Sequence, residues 1–495
     1  MQWGLPTIVS ADVRIVPARY GTREAPARSR CAVATLAAAS LLLGACAAYQ
    51  PAPLDPERSA AEFNARRLDS PELRERMAIL LPGVAAAWPP PAWDRAQLLA
   101  VAMVWNPKLA VARAQAGAAL AHEITAGERP NPELTLQSEY ARKEPHPWLY
   151  GLGLQLLLPQ SDRARVDADI ARLETGAAQR ELMDQAWSTR SSLLDALSER
   201  ESASRRLGLL DKLLSAQDSL LDLSRRRVAA GEDAAGDLLP LAQARIEIEQ
   251  RQSQARSELT AAESALASVL GVAPAALDGI RIDWPDWGAP PDVPAAVLAE
   301  AREQALRARS DLGAALDAYA VAEGRLQRAV LQQYPQVKLS PGYYWDHGIA
   351  KFPLDAAFDL PLFNRHAGEI AEARAARDVA GQHMLAVQAG IIGAIAAAER
   401  GEAVARDGSA AAERSLEAVR SQRRNSALNL RLGAIGANED QAAAVLALRG
   451  DLETVQMRAH WQAARNALEA ALHAPLSGPE LQLPQHLPDT LGAAR

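Results

Sequence analysis

The chain has 495 residues, of which 49% are hydrophobic but only 4% aromatic, with 23% charged and a formal net charge of -7. So few aromatics among abundant alanine, leucine, arginine and glutamate favour extended helices over a compact enzyme core. The negative charge is mild and spread out, with no Lys/Arg block alternating with aromatics, which argues against a nucleic-acid partner.

The two cysteines, Cys31 and Cys46, lie in the first tenth of the chain, so no disulfide framework or thiolate metal site can form in the body. Arg14, Arg19, Arg23, Arg28 and Arg30 precede the apolar run CAVATLAAASLLLGA, which is too short to span a bilayer comfortably. A charged start followed by an apolar middle reads as a secretory signal, and export follows. The thirty residues ahead of the run are long for a signal and are compatible with a start downstream of Met1. The closing LLGAC resembles a bacterial lipoprotein signal. That resemblance implies cleavage before Cys46, a lipid on its new amino terminus, and, from Ala47, sorting to the outer membrane. The competing reading is an ordinary signal cut after a small residue.

Beyond this run the sequence reading finds no apolar stretch near the ~20 residues of a membrane helix, so a mature chain that crosses a bilayer does so with strands. RPNPELTLQSEYARKEPHPWLYGLGLQLLLPQ, Arg129 to Gln160, has that character. Its first arm puts Leu134, Leu136 and Tyr140 on one face and Thr135, Gln137 and Glu139 on the other. Its second arm aligns Trp148, Tyr150, Leu152, Leu154, Leu156 and Leu158. The arm's length suits a transmembrane strand, and Tyr140, Trp148 and Tyr150 cluster as an interfacial girdle would. A soluble hairpin packed on a helix fits the same stretch equally well.

From Arg163 to Ala230 the pattern predicts one helix of about 100 Å, with Leu207, Leu214, Leu221 and Val228 as a heptad seam beside Leu210, Leu213 and Leu220. AAGEDAAGD turns the chain at Gly231 and Gly236, glycine being the expected stop after a helix, and a return helix follows. Trp284 and Trp287, in the proline-rich join DWPDWGAPPDVP, are expected to be buried against the bundle.

The order then repeats. NPKLAVARAQ at Asn106 is echoed by RSDLGAALDA at Arg309, PELTLQSEY at Pro132 by PQVKLSPGYY at Pro335, and LPQSDRARVDADIA at Leu158 by LPLFNRHAGEIAEA at Leu360. The second hairpin carries Val337, Leu339, Tyr343 and Trp345 on one face of its first arm, and Phe352, Leu354, Ala356, Phe358 and Leu360 on one face of its second. Lys351, Asp355 and Asp359 lie opposite, where water is required. A long helix from about His366 to Leu430, a turn at LGAIGANED and a return helix to Ala471 complete the repeat.

Four strands cannot close a membrane barrel, whose smallest common form has about eight, so the strand reading requires an oligomer. At this point the whole mature chain resembles the outer-membrane factor family, of which TolC is the best-known member. The likeness is carried by NPKL, RPNPEL, LPQSDRARV, RRRVAAGEDAAGDLLPLAQA, YPQV, DLPLFNR and LRLGAIGANEDQAAAVLAL, in that duplicated order. The resemblance implies a mainly α fold with a small β part: a homotrimer whose long helical hairpins build a periplasmic α-barrel and whose four strands per chain form a 12-stranded barrel in outer-membrane lipid. It implies docking on a periplasmic adaptor and an inner-membrane efflux pump. Residues 1–45 are then the signal peptide, 46–92 a lipid-anchored extension, 93–288 and 289–475 the two repeats, and 476–495 a tail.

By the same resemblance Arg227, Gly231, Glu232, Asp233, Gly433 and Gly436 mark the adaptor-contacting tips. The family often has tyrosine four residues before the tip glycine; here Arg227 and Asn429 stand there, leaving adaptor preference open. Glu439 and Asp440 are expected at the inner mouth, where a trimer makes each carboxylate a ring of three that selects cations, against the bland reading of a solvated surface. The lipid-facing set comprises Leu134, Leu136, Tyr140, Trp148, Tyr150, Leu152 and Leu154 of the first hairpin and Tyr343, Trp345, Phe352, Leu354 and Phe358 of the second.

No catalytic constellation is found: the eight histidines are scattered, there is no HExxH, and GAIGANED lacks the preceding strand of a phosphate loop. No cofactor or bound metal is expected; His347 beside Asp346, near an outer turn, could meet a metal ion but reads as an exposed polar loop residue. RPNPEL is most like members serving heavy-metal pumps, although multidrug members share it, and no Met or His cluster decides the cargo. The rival reading is a periplasmic, lipid-anchored coiled-coil adaptor, which should carry lipoyl-like and small barrel domains around one helical hairpin.

Overall fold

The structure, a computed structural model, describes residues 49–81, 88–158 and 160–482; the expected signal and Cys46 lie outside them. The chain divides into two units, residues 1–59 and 60–495. In the first, the Asp55 carboxylate accepts from the amides of Glu57 (3.0 Å) and Arg58 (3.3 Å) at the start of helix α1, Pro56–Asn64.

The second unit opens with α2, Pro71–Leu80, whose Leu73, Met77 and Leu80 are buried. Repeat 1 then runs α3 (Arg95–Trp105), α4 (Pro107–Ala126), β1 (Glu133–Tyr140), β2 (Trp148–Leu157), α5 (Ser161–Ala229) and α6 (Leu238–Leu270). Repeat 2 follows in the same order: α7 (Ala295–Ala308), α8 (Ser310–Leu331), β3 (Val337–Asp346), β4 (Ile349–Lys351), β5 (Leu354–Phe358), α9 (Ala367–Arg431) and α10 (Ala437–Leu472). The sequence boundaries of the four long helices agree with these to within about two residues, as expected where caps and glycines fix the ends.

Caps explain the corner between α3 and α4. Asp94 and Gln97 form a capping box on α3, while Asn106 ends α3 and caps α4 by accepting from the Lys108 and Leu109 amides, ahead of Pro107. This corner feeds the main core, in which Trp93, Leu98, Leu99, Leu193, Leu197, Leu266, Leu270 and the expected Trp284 and Trp287 are buried. Trp287 Nε1 donates to Ser198 Oγ (3.1 Å), satisfying its polar edge.

The packed seam of α5 is shifted from the expected Leu207, Leu214, Leu221 and Val228 to the leucines beside it: Leu210, Leu213 and Leu220 are buried with Ile248 and Ala255 of α6 and Val445 of α10, while Leu207 and Leu214 are only partly buried. One seam thus serves two neighbours. At the strand end of the unit the principal helix neighbours run α4, α5, α8, α9; at the turn end they run α6, α5, α10, α9. In both rows α9 closes one side, and α4 or α6 closes the other.

β1 to β5 form one antiparallel sheet in the order β1, β2, β3, with β4 and β5 sharing the far side of β3. The sequence reading had this last arm continuous. Pro353 breaks it, because proline has no N–H to donate; its carbonyl instead accepts from Gly342 N (2.9 Å), beside Pro341 in the facing strand. A second difference concerns α9. It contains an 18-residue window with a mean hydropathy of 1.4, only 11% of it buried, which the sequence reading passed over because AVQAGIIGAIAAA is built of small residues.

Candidate conduit and its two ends

The sheet has two faces of different chemistry. Its register pairs Leu134 with Leu154, Leu136 with Leu152 and Tyr140 with Trp148 in the first hairpin, then Leu152 with Tyr343 and Tyr150 with Trp345 across to the second. Paired residues share a face, so the residues singled out as lipid-facing fall on one side of the sheet. Leu134, Leu136, Tyr140, Trp148, Tyr150, Leu152, Tyr343, Trp345, Phe352, Leu354 and Phe358 are exposed there, while Leu154 is half-buried. The aromatics touch one another. Tyr140 lies edge-on to Trp148 (centroids 4.9 Å), Trp148 stacks on Tyr150 (5.8 Å), and Tyr343 meets Phe352 (5.2 Å).

The opposite face carries Gln137, Glu139, Gly151, Gly153 and Tyr344. Tyr344 lies across Gly151, where any Cβ would strike its ring, and reaches Gly153 with its hydroxyl. Two glycines therefore make room for one aromatic on the polar side. At the hairpin tip Asp346 accepts from Lys351 and pairs with His347 Nδ1 (2.7 Å), so His347 is half-buried in a local loop lock rather than exposed.

At the other end the two helical turns have the same design. Gly231 (φ 76°) and Gly433 (φ 72°) take the left-handed conformation; the amide of Glu232 returns to Arg227 O, and that of Ala434 to Asn429 O, each at 2.9 Å. Arg227 grips Asp233 through two hydrogen bonds and lies 3.5 Å from Glu232. This contact, first through the hydrogen bond and then through charge, raises the Arg227 pKa and lowers that of Asp233. Gly436 has an extended conformation and caps α10. The tips are joined to each other by Ser224 Oγ donating to Asn438 Oδ1 (3.0 Å) and Gln441 Nε2 to Ala216 O (3.0 Å).

Glu439 and Asp440, expected together at the mouth, have different environments. Glu439 is exposed beside Asn425 and Asn429 in a cleft between α9 and α10. Asp440 is buried and ion-paired with Arg423 of α9, so its charge is answered within the chain and its carboxylate is not open to solvent. The reason is positional: as the fourth residue of α10 it falls on the side facing α9, one position round from Glu439.

Both rows of helices end in exposed apolar residues. On one side these are Val111, Leu120 and Ile124 of α4 and Leu239 and Ile246 of α6; on the other, Val379, Leu385, Ile392 and Val404 of α9. Among the described residues, the strands β1 and β4/β5 likewise have unpaired outer sides. Among the described residues, two helical hairpins and one sheet are present, which is not the arrangement expected of a coiled-coil adaptor.

Residues 98–272 match the family model described as outer membrane efflux protein. No curated protein matches the chain by sequence. Among solved structures, CusC, described in terms of folding and transmembrane channel formation, is 15% identical with a TM-score of 0.63, covering 77% of this chain and 92% of that one. The outer membrane protein VceC of Vibrio cholerae is 18% identical (TM-score 0.63; 77% and 97% covered), and the outer-membrane channel OprN is 18% identical (TM-score 0.63; 87% and 99% covered). At these identities the likeness establishes the fold, a mostly helical body with a small antiparallel sheet.

Proposed function

We propose that this chain, which carries the outer membrane efflux protein domain over residues 98–272 and has the fold of the outer-membrane channels, is the outer-membrane conduit of an efflux system. The observation that carries the reading is the pair of open sides. Each helical row and the sheet end in open edges at the two ends of their order, an arrangement that a heterologous ring of identical copies satisfies. With β4 and β5 counted as one arm broken at Pro353, three copies give twelve strands, enough to close a barrel, and remove every sheet edge from lipid.

In this reading the apolar sheet face meets lipid, its aromatics sit at the interface, and the face with Gln137, Glu139 and Tyr344 lines water. Cys46, lipidated, anchors the mature chain in the outer membrane. The tips around Arg227, Gly231, Glu232, Asp233, Gly433 and Gly436 meet a periplasmic adaptor linked to an inner-membrane pump. Glu439 supplies a ring of three carboxylates at the inner mouth, while Asp440 acts through Arg423 by holding α10 against α9. Solutes pass without chemistry, and metals and drugs are both admissible cargo.

The trimer is tested by the mass of the detergent-solubilised mature chain. Three copies per particle are expected; a monomer at micromolar concentration contradicts the reading.

A further inference from the structure

We propose that Asp184, Asp311 and His473 form a binding site for a first-row divalent transition cation of the zinc type. Asp184 lies in α5, Asp311 is the second residue of α8, and His473 follows the last turn of α10, so the site joins one helix of repeat 1 to two elements of repeat 2. One carboxylate oxygen from each aspartate and one ring nitrogen lie within 4.8 Å of one another.

The charges leave a vacancy for a cation. Asp311 is already answered: Arg309 Nε donates to Oδ1 (3.0 Å) and Nη2 to Oδ2 (2.7 Å), and the Leu312 amide adds a third bond. Asp184 is not. Its contacts are the Ser310 hydroxyl at 3.4 Å and His473 Nε2 at 3.9 Å. Two carboxylates thus share one guanidinium, which hydrogen-bonds Asp311 and not Asp184.

The imidazole is held ready. His473 stacks on Trp187 (5.4 Å, 21°) and its backbone is left-handed (φ 48°), which fixes the ring at the helix end. Its Nδ1 is buried without a partner.

One imidazole nitrogen with two carboxylate oxygens is a donor set used by zinc, leaving a position for water. Calcium takes six to eight oxygens and magnesium a near-ideal octahedron, which three ligands from helices do not provide. Bond lengths of about 2.0–2.2 Å draw the three donors closer than the 4.8 Å within which they stand here.

The test is Zn2+ titration of the chelator-treated full chain in detergent, followed by calorimetry and by the melting temperature, with Mg2+ as control. We expect one Zn2+ per chain, a Zn2+-dependent rise in melting temperature absent with Mg2+, and at least tenfold weaker binding in Asp184→Asn and in His473→Asn. Asparagine is chosen at 473 because it tolerates a left-handed backbone. His347→Gln should bind as the wild type does. Equal binding by the wild type and the double variant D184N/H473N overturns the site, as does loss of binding in His347→Gln alone, which would place the ion at the outer loop.

Discussion

Arg227 reaches across the first tip to take both oxygens of Asp233, Nε to Oδ2 at 2.7 Å and Nη2 to Oδ1 at 2.9 Å. The pair ties the end of α5 to the turn that starts α6, on the surface proposed for adaptor docking. Both groups are solvated, so the pair shapes the turn without setting global stability. Asp233→Asn is expected to leave the melting temperature unchanged while proteolysis between residues 231 and 237 becomes faster. A large fall in melting temperature contradicts this.

Gly231 and Gly271 have nearly the same φ, 76° and 72°, in different surroundings. A Cβ at Gly231 meets open space, whereas one at Gly271 strikes the Trp105 carbonyl, beside the Arg66 guanidinium that holds Gly271 O at 2.7 Å. Gly231→Ala therefore costs about 1–2 kcal/mol from backbone strain, and Gly271→Ala about 3 kcal/mol or more. Denaturant midpoints of the two variants, compared side by side, check the ranking.

Glu402 is held between α9 and α10 by Trp461 Nε1 and Arg465 Nη2, each at 2.9 Å. Burial works to raise its pKa, but these bonds and the Arg465 charge prevail and leave it lowered. A lowered carboxylate contributes stability that is present above the unfolded value near 4.5 and is lost as pH falls through the folded value. Glu402→Ala strands Arg465 and is expected to cost about 3 kcal/mol. Glu402→Gln costs less and flattens the acid limb of the stability curve below pH 4.5.

His473 has the opposite chemistry and the same direction. Its pKa falls from 6.5 unfolded to about 4 folded, so between those values the unfolded state binds more protons and stability drops as pH falls. The loss amounts to at most about 3 kcal/mol by pH 4. In chelator, His473→Asn should remove that slope between pH 6.5 and 4; an unchanged slope assigns it to other groups.

Much of the architecture was legible because it is local. Proline-free stretches, glycine stops and a period of two set the long helices and the two hairpins, and duplication showed that the same unit occurs twice. What was illegible depended on who faces whom. Asp440 reads like its neighbour Glu439 until α9 supplies Arg423. Pro353 looks tolerable in an alternating run until β3 presents Pro341 and Gly342 opposite it. Asp184, Asp311 and His473 share no spacing, so only the meeting of α5, α8 and α10 brings them together. The apolar face of α9 went unread because its alanines and glycines give a smooth surface rather than a leucine seam.

The conduit itself is tested most directly by planar-bilayer conductance of the purified, detergent-solubilised wild type beside Glu439→Gln. The account expects discrete channel openings that favour cations, with the preference weakened in the variant by loss of three carboxylates from one ring. A chain that inserts but never conducts contradicts the conduit and returns the hairpins to a role outside the membrane.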